Sequence, residues 1–332
     1  MKDLALVALS LSLFASGCAS TRIGVIADPQ VGWITETRNL EKAFRFYRAN
    51  EVDAVVIAGQ ATKNGYRNQD EVLQKVWRKV FAGTPTRLIV GDGRQEVNGF
   101  VFAVSSNRPS AKCDVLTFYG TDRRALTDEL CYYPRERNAV CAGSMSGVHV
   151  PEGSDEKLVK SAARAAQGLL VTAGPSSVEM RRLEFAVTDR KNLAEDVAEP
   201  WTVGPAEAVE PAPEFWSDTR LRVRRGQDAK GGFLVLEWPN VLKRGTGVRA
   251  RHYEVDVAFA DHPDYPFLRR RVLSPNFFLA ESRDMGGASC TFRSEELPVN
   301  DQSHTHVVFS VVPVGSLGKR GKAFKTDPVP LR

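Results

Sequence analysis

Val25-Ile26-Ala27-Asp28-Pro29-Gln30 and Val56-Ile57-Ala58-Gly59-Gln60-Ala61-Thr62-Lys63 are built alike. Each is a short apolar run, rich in β-branched residues, that breaks off on small and polar residues. Runs of this length with no polar alternation read as strands covered on both faces. Leu88-Ile89-Val90-Gly91-Asp92-Gly93-Arg94 repeats the pattern a third time. Between the first two runs, residues 37–50 carry Leu40, Ala43, Phe44 and Tyr47 at helical spacing. Between the second and third, residues 69–82 place Val72, Leu73, Val76, Trp77 and Val80 on one helical face. The chain therefore opens β-α-β-α-β, which predicts an α/β unit with helices packed around a central sheet.

Further along, the helical period gives way to successive strands, expected at 100–104, 113–119, 129–133 and 138–142. A helix is expected over 155–167, then strands over 168–173 and 178–187. Residues 199–215 are rich in Pro, Ala and Glu and read as a linker. Everything after it is all-β, with strands expected at 220–225, 232–238, 252–260, 266–273, 289–293, 306–313 and 323–326. That spacing predicts an immunoglobulin-like β-sandwich. Leu236-Glu237-Trp238-Pro239, His252-Tyr253-Glu254-Val255 and Val308-Phe309-Ser310-Val311-Val312-Pro313-Val314 resemble strands B, C and F of fibronectin type III modules. The resemblance makes Trp238 a core residue.

At the other end, Met1-Lys2-Asp3 precedes an apolar run over 4–15 and then Ser16-Gly17-Cys18. The run is too short for a permanent membrane span and fits a secretory signal. Ala15-Ser16-Gly17-Cys18 resembles the lipobox of bacterial lipoproteins, which implies cleavage before Cys18 and its acylation. The acyl chains would anchor the protein to a membrane of the bacterial cell envelope, facing the periplasm or the cell surface. Each buried methylene would contribute about 0.8 kcal/mol. The expected divisions are 1–17 signal peptide, 18–204 α/β unit, 205–215 linker and 216–332 β-sandwich. Export also permits disulfides. Cys131 and Cys141 flank Tyr132-Tyr133-Pro134-Arg135-Glu136-Arg137-Asn138, which reads as a hairpin, so they could bridge across it; two buried thiols are the alternative.

The formal charge is +5, and the excess lies after Ala212 without gathering on one helix face. That is too weak a field for a dedicated nucleic-acid binder, and none is expected as a partner.

The strand ends carry a second resemblance, to the calcineurin-like metallophosphoesterases. That family holds two divalent metals with aspartate, histidine and asparagine ligands placed just after strands, and the metals supply a bound hydroxide for phosphoester hydrolysis. The fold it implies is a four-layer αββα sandwich, here reduced. Asp28 matches the first aspartate, but Gln30 stands at the histidine position. Gly59 matches, while Gln60 replaces the bridging aspartate and Lys63 the second acid. Asp92 replaces the asparagine, Gly93 the histidine that protonates the leaving group, and Arg94 the following acid. In Phe118-Tyr119-Gly120-Thr121-Asp122-Arg123, Thr121 and Arg123 stand where two histidines belong. No histidine occurs before His149.

Amides and hydroxyls are poor substitutes for imidazole and bridging carboxylate. The expectation is a degenerate member with no metal cofactor, acting as a binding or scaffold protein. An anionic ligand or a protein partner suits it. The alternative is an active phosphoesterase with an altered metal site built on Asp28 and Asp92. Lys63, Arg94 and Arg123 are expected either to neutralise Asp28, Asp92 and Asp122 in place of metal, or to have turned outward to solvent. Ser144 and Ser146, in Gly143-Ser144-Met145-Ser146-Gly147, lack a histidine base upstream and read as scaffold. His304 and His306 lack a third donor and read as a strand edge. Trp33 reads as loop packing or as the rim of an old cleft.

Overall fold

The computed structural model describes residues 20–32, 34–120, 138–148, 156–186, 192–197, 200–203, 212–241, 249–274, 279–280, 287–297, 304–315 and 318–331. The lipobox with Cys18, Trp33, the segment with Thr121, Asp122, Arg123 and Cys131, and His149 lie outside them. The expected lipidation, the Cys131–Cys141 bridge and the strand at 129–133 therefore fall outside the described residues too.

The first unit opens with β1 (Thr21–Ala27), α1 (Ile34–Ala49), β2 (Ala54–Ala58), α2 (Arg67–Phe81) and β3 (Arg87–Val90). It continues through β4 (Gly93–Val97), β5 (Phe100–Ser105), β6 (Thr117–Tyr119), β7 (Ala139–Cys141) and α3 (Glu156–Ala162). It ends with β8 (Gln167–Ala173), β9 (Val178–Glu184), β10 (Glu195–Asp196) and β11 (Trp201–Val203). One sheet runs β10-β9-β8-β1-β2-β3, with β11 also on β9; the other runs β4-β5-β6-β7. β1, β2 and β3 are parallel, as the helical crossovers between them demand.

The two sheets face each other. Val25, Val56 and Leu169 of the first interlock with Phe102, Phe118 and Val140 of the second in one buried cluster. The opposite face of the first sheet presents Val55 and Ile57 to Leu40 and Phe44 of α1 and to Leu73 and Val80 of α2. Behind the second sheet, Leu158 and Ala162 of α3 cover Tyr119 and Cys141. Among the described residues the layers are helix, sheet, sheet, helix, the last being the seven-residue α3.

Tyr47 shows how tightly α1 is seated. Its hydroxyl reaches the carbonyls of Val25 at 3.1 Å and Leu169 at 3.0 Å. A Cβ on Gly24 would lie 2.6 Å from its ring and one on Gly168 2.8 Å from its hydroxyl, so only glycine leaves room for it. Complete burial pushes its ionisation well above the ordinary tyrosine range.

Three expectations need correcting. The helix over 155–167 stops at Ala162, and Gln167 already opens β8, where its N–H is claimed by the Ser144 carbonyl. The strand over 113–119 shrinks to Thr117–Tyr119. The stretch read as a linker over 199–215 already holds β11, in which Trp201, Thr202 and Val203 pair with Met180, Glu179 and Val178 of β9. Gly91 and Gly93, at φ of 103° and 124°, turn the chain straight from β3 into β4 of the other sheet.

The second unit is a sandwich of β12 (Arg222–Asp228), β13 (Gly231–Trp238) and β16 (Ala288–Arg293) against β14 (His252–Phe259), β15 (Leu268–Leu273), β17 (His306–Val314), β18 (Phe324–Lys325) and β19 (Val329–Pro330). Its sheets run β12-β13-β16 and β15-β14-β17-β18, with β19 on β17. Leu234, Leu236 and Trp238 meet Tyr253, Val255, Val257 and Phe309 between them. The alternation in β13 and β14 is what aims these side chains inward. The two units touch: the Ala280 N–H donates to Glu184 Oε2 at 2.9 Å, the Arg249 guanidinium donates to the Val197 carbonyl, and Leu279 joins the cluster beneath α3.

Candidate functional site

Because β1 and β2 are parallel, the loops that follow them leave the sheet at the same edge, where open α/β sheets gather ligands. β6 of the facing sheet ends there as well: a Cβ on Gly120 would lie 2.9 Å from the Gly59 Cα. The two loops are zipped together by backbone bonds. Asp28 N–H donates to the Ala58 carbonyl at 3.0 Å, Gln30 N–H to Gln60 at 3.2 Å and Val31 N–H to Ala61 at 3.1 Å. The Lys63 N–H returns to the Val31 carbonyl at 3.3 Å. Asp28 and Gln30 sit at φ of 45° and 43°, a left-handed backbone that costs a non-glycine residue roughly 1 kcal/mol or more. The zipper compensates for that strain.

The Asp28 carboxylate lies beneath this zipper, 4% exposed. Its Oδ1 accepts the Gln60 N–H at 2.9 Å. Gly59, at φ 72°, has no room for a side chain, since a Cβ would fall 2.2 Å from that oxygen. A Cβ on Gly120 would lie 3.2 Å from Oδ2. Gln30 is also buried, and its Nε2 donates to Gln60 Oε1 at 3.4 Å. Among the described residues, the donors gathered here are one carboxylate and two side-chain amides. A dinuclear metal centre needs several anionic or imidazole donors with one bridging the ions, and this set does not fit one.

The third strand end behaves differently. Asp92 is exposed and accepts the Ser106 hydroxyl at 2.7 Å. Gly93 and Arg94 open β4, with Arg94 exposed opposite Ala103. Lys63 is exposed as well. So the structure brings Asp28, Gln30, Gln60 and Gly120 together, and leaves Asp92, Gly93 and Arg94 on the neighbouring turn.

Sequence reading missed a buried polar cluster just behind Asp28. Arg182, Glu184 and Gln167 are all fully buried. β8 and β9 pair Gln167 with Glu184, and Arg182 lies two residues away on the same face. Arg182 Nη2 donates to the Cys141 carbonyl at 2.5 Å, while its Nε and Nη1 have no partner among the described residues. Gly143 makes room for it, since a Cβ there would lie 2.8 Å from Nη1. The loop carrying Gly143 is pinned to the end of β1 by Met145 N–H to the Ala27 carbonyl at 2.9 Å. Ser144, also buried, accepts the Ser146 N–H at 3.2 Å and so serves its own turn. The signal was present: in Arg182-Leu183-Glu184-Phe185 the strand period puts both charges on one face and both apolar residues on the other.

No family model matches the chain, and no curated protein matches it. Among solved structures it is similar to Vps29 of Chaetomium thermophilum, at 11% identity and a TM-score of 0.36, over 56% of this chain and 100% of that one. A structure of Chaetomium thermophilum Vps29 complexed with the RaPID-derived cyclic peptide RT-D3 aligns at 11% identity and a TM-score of 0.32, over 57% of this chain and 99% of that chain.

Proposed function

We propose that the first unit is a metallophosphoesterase-like domain in which backbone capping has replaced metal coordination, and that the chain works as a non-catalytic binding or scaffold lipoprotein of the bacterial cell envelope. The observation that carries this reading is the Asp28 carboxylate. It is buried, bonded to the Gln60 N–H and pressed between Gly59 and Gly120. A carboxylate so committed has little freedom to bind a metal, and its amide neighbours cannot supply the missing charge. The layer order helix, sheet, sheet, helix supports the family reading of this unit. The order β12-β13-β16 against β15-β14-β17-β18 supports a fibronectin III-like reading of the second, as a spacer or adhesive module. The lipid anchor rests on the lipobox resemblance at Cys18.

Elemental analysis of the purified chain, joined to a phosphomonoester and phosphodiester assay with added manganese, tests the reading. The expected result is no stoichiometric metal and no turnover above background. Stoichiometric metal with turnover lost in Asp28→Ala would establish the active phosphoesterase instead. For the anchor, Cys18→Ser is expected to move the chain from the membrane fraction to the soluble fraction; unchanged partition would remove lipidation from the proposal.

A further inference from the structure

The second unit carries a cleft of about 700 Å³ between the segment leading into β12 and the ends of β13 and β16. That volume falls within the range of small-molecule sites. The Phe215 ring stacks on Tyr253 with centroids 5.9 Å apart, which anchors the leading segment to the core. A turn closed by Thr219 N–H to the Trp216 carbonyl at 3.0 Å follows at once. Trp216 is thereby held outward, 51% exposed, against the tendency of a large aromatic to bury itself. Asp218, Arg220 and Arg222 line the same cleft, and none of the three side chains has an ion pair among the described residues. Glu237, which also lines it, is already engaged by Arg224. Trp238 lines it too, and its indole N–H has no acceptor among the described residues.

We infer that this cleft binds an acidic sugar, a pyranose bearing a carboxylate. The chemistry selects against simpler ligands. Two guanidiniums with no ion pair among the described residues recognise a carboxylate with paired, charge-assisted hydrogen bonds. The exposed indole face offers an apolar plane for the C–H face of a sugar ring, which a small inorganic anion cannot use. The Asp218 carboxylate can accept hydrogen bonds from ring hydroxyls, donors that a small inorganic anion does not carry. A ligand that satisfies all three features is at once flat and apolar on one side, anionic, and rich in hydroxyl donors.

Calorimetric titration of the full chain with galacturonate oligosaccharides tests this, with their methyl esters, neutral galactose oligosaccharides and inorganic sulfate as comparisons. The acidic oligosaccharide is expected to bind about tenfold or more tightly than its methyl ester or the neutral sugar, and sulfate not to compete. Trp216→Ala and the double variant Arg220→Gln/Arg222→Gln are each expected to weaken binding about tenfold or more, a loss of about 1.4 kcal/mol per decade. Their circular dichroism should stay that of the parent, because all three side chains are at the surface. Asp92→Asn, in the other unit, should bind as the parent does. No binding of the acidic oligosaccharide, equal binding of its methyl ester, competition by sulfate, or full affinity in Trp216→Ala would each overturn the assignment. These outcomes are independent of whether the first unit binds metal.

Discussion

The loop after β2 and the loop after β3 leave adjacent parallel strands at the same edge of one sheet, yet their polar residues meet water very differently. Behind β2, Gly59 and Gln60 close over a carboxylate contributed by the β1 loop, with Gly120 of the facing sheet pressed against it. Behind β3, Asp92 stands in solvent and its one described bond is to the Ser106 hydroxyl. Both aspartates occupy positions where a metal ligand is expected from the resemblance. What separates them is the number of chain segments that converge. Where three segments meet, backbone N–H groups can take over the satisfaction of a buried carboxylate. Where the chain turns directly into a hairpin, the carboxylate is left to water, and its identity is weakly constrained.

That contrast can be broken by mutation. Gly59→Ala should be the most damaging change, because the new methyl would meet Asp28 Oδ1 and occupy a left-handed backbone; a loss of about 3 kcal/mol is expected in urea unfolding. Asp28→Ala removes the acceptor of the Gln60 N–H and should cost about 2 kcal/mol. Tyr47→Phe, under the same strand ends, should cost about 1 kcal/mol at neutral pH. It also carries a pH signature. Burial raises the folded Tyr47 ionisation, so the stabilisation is whole below the unfolded pKa of about 10 and fades as pH rises beyond it. The alkaline decline of the urea midpoint should therefore be shallower in Tyr47→Phe. A parallel decline would mean the ring is not buried as described. Smallest of all, Arg94→Ala and Lys63→Ala should each stay within about 0.5 kcal/mol of the parent. If either matched Asp28→Ala, the difference between the two loops would vanish.

The apolar runs announced β1 and β2 because strands covered on both faces leave no room for polar alternation; the run that forms β3 lies at the sheet edge and leaves Val90 exposed. Helices α1 and α2 were equally plain from their apolar spacing. β4 was not, since Gly-Arg-Gln-Glu-Val has a single buried residue, Val97, and its strand character comes from pairing with β5 rather than from its own pattern. At the site, Asp28 and Gln60 were singled out, but their relation was not. Nothing in either stretch says that a carboxylate will cap a backbone amide 32 positions away. Arg182 and Glu184 fall inside the strand expected over 178–187, but the alternation of charged and apolar residues there does not by itself say which face is covered. Here the second sheet covers the charged face.

The bond from the Ala280 N–H to Glu184, and the seating of Leu279 beneath α3, bear on how the molecule may be divided. The Pro-, Ala- and Glu-rich stretch invites a cut, but a fragment ending there would open a greasy notch beside Tyr119 and Leu158 and strip a donor from an interior carboxylate. Such a fragment would be stickier than its surface charge suggests, and the covalent junction between the halves is not where their dependence on each other stops.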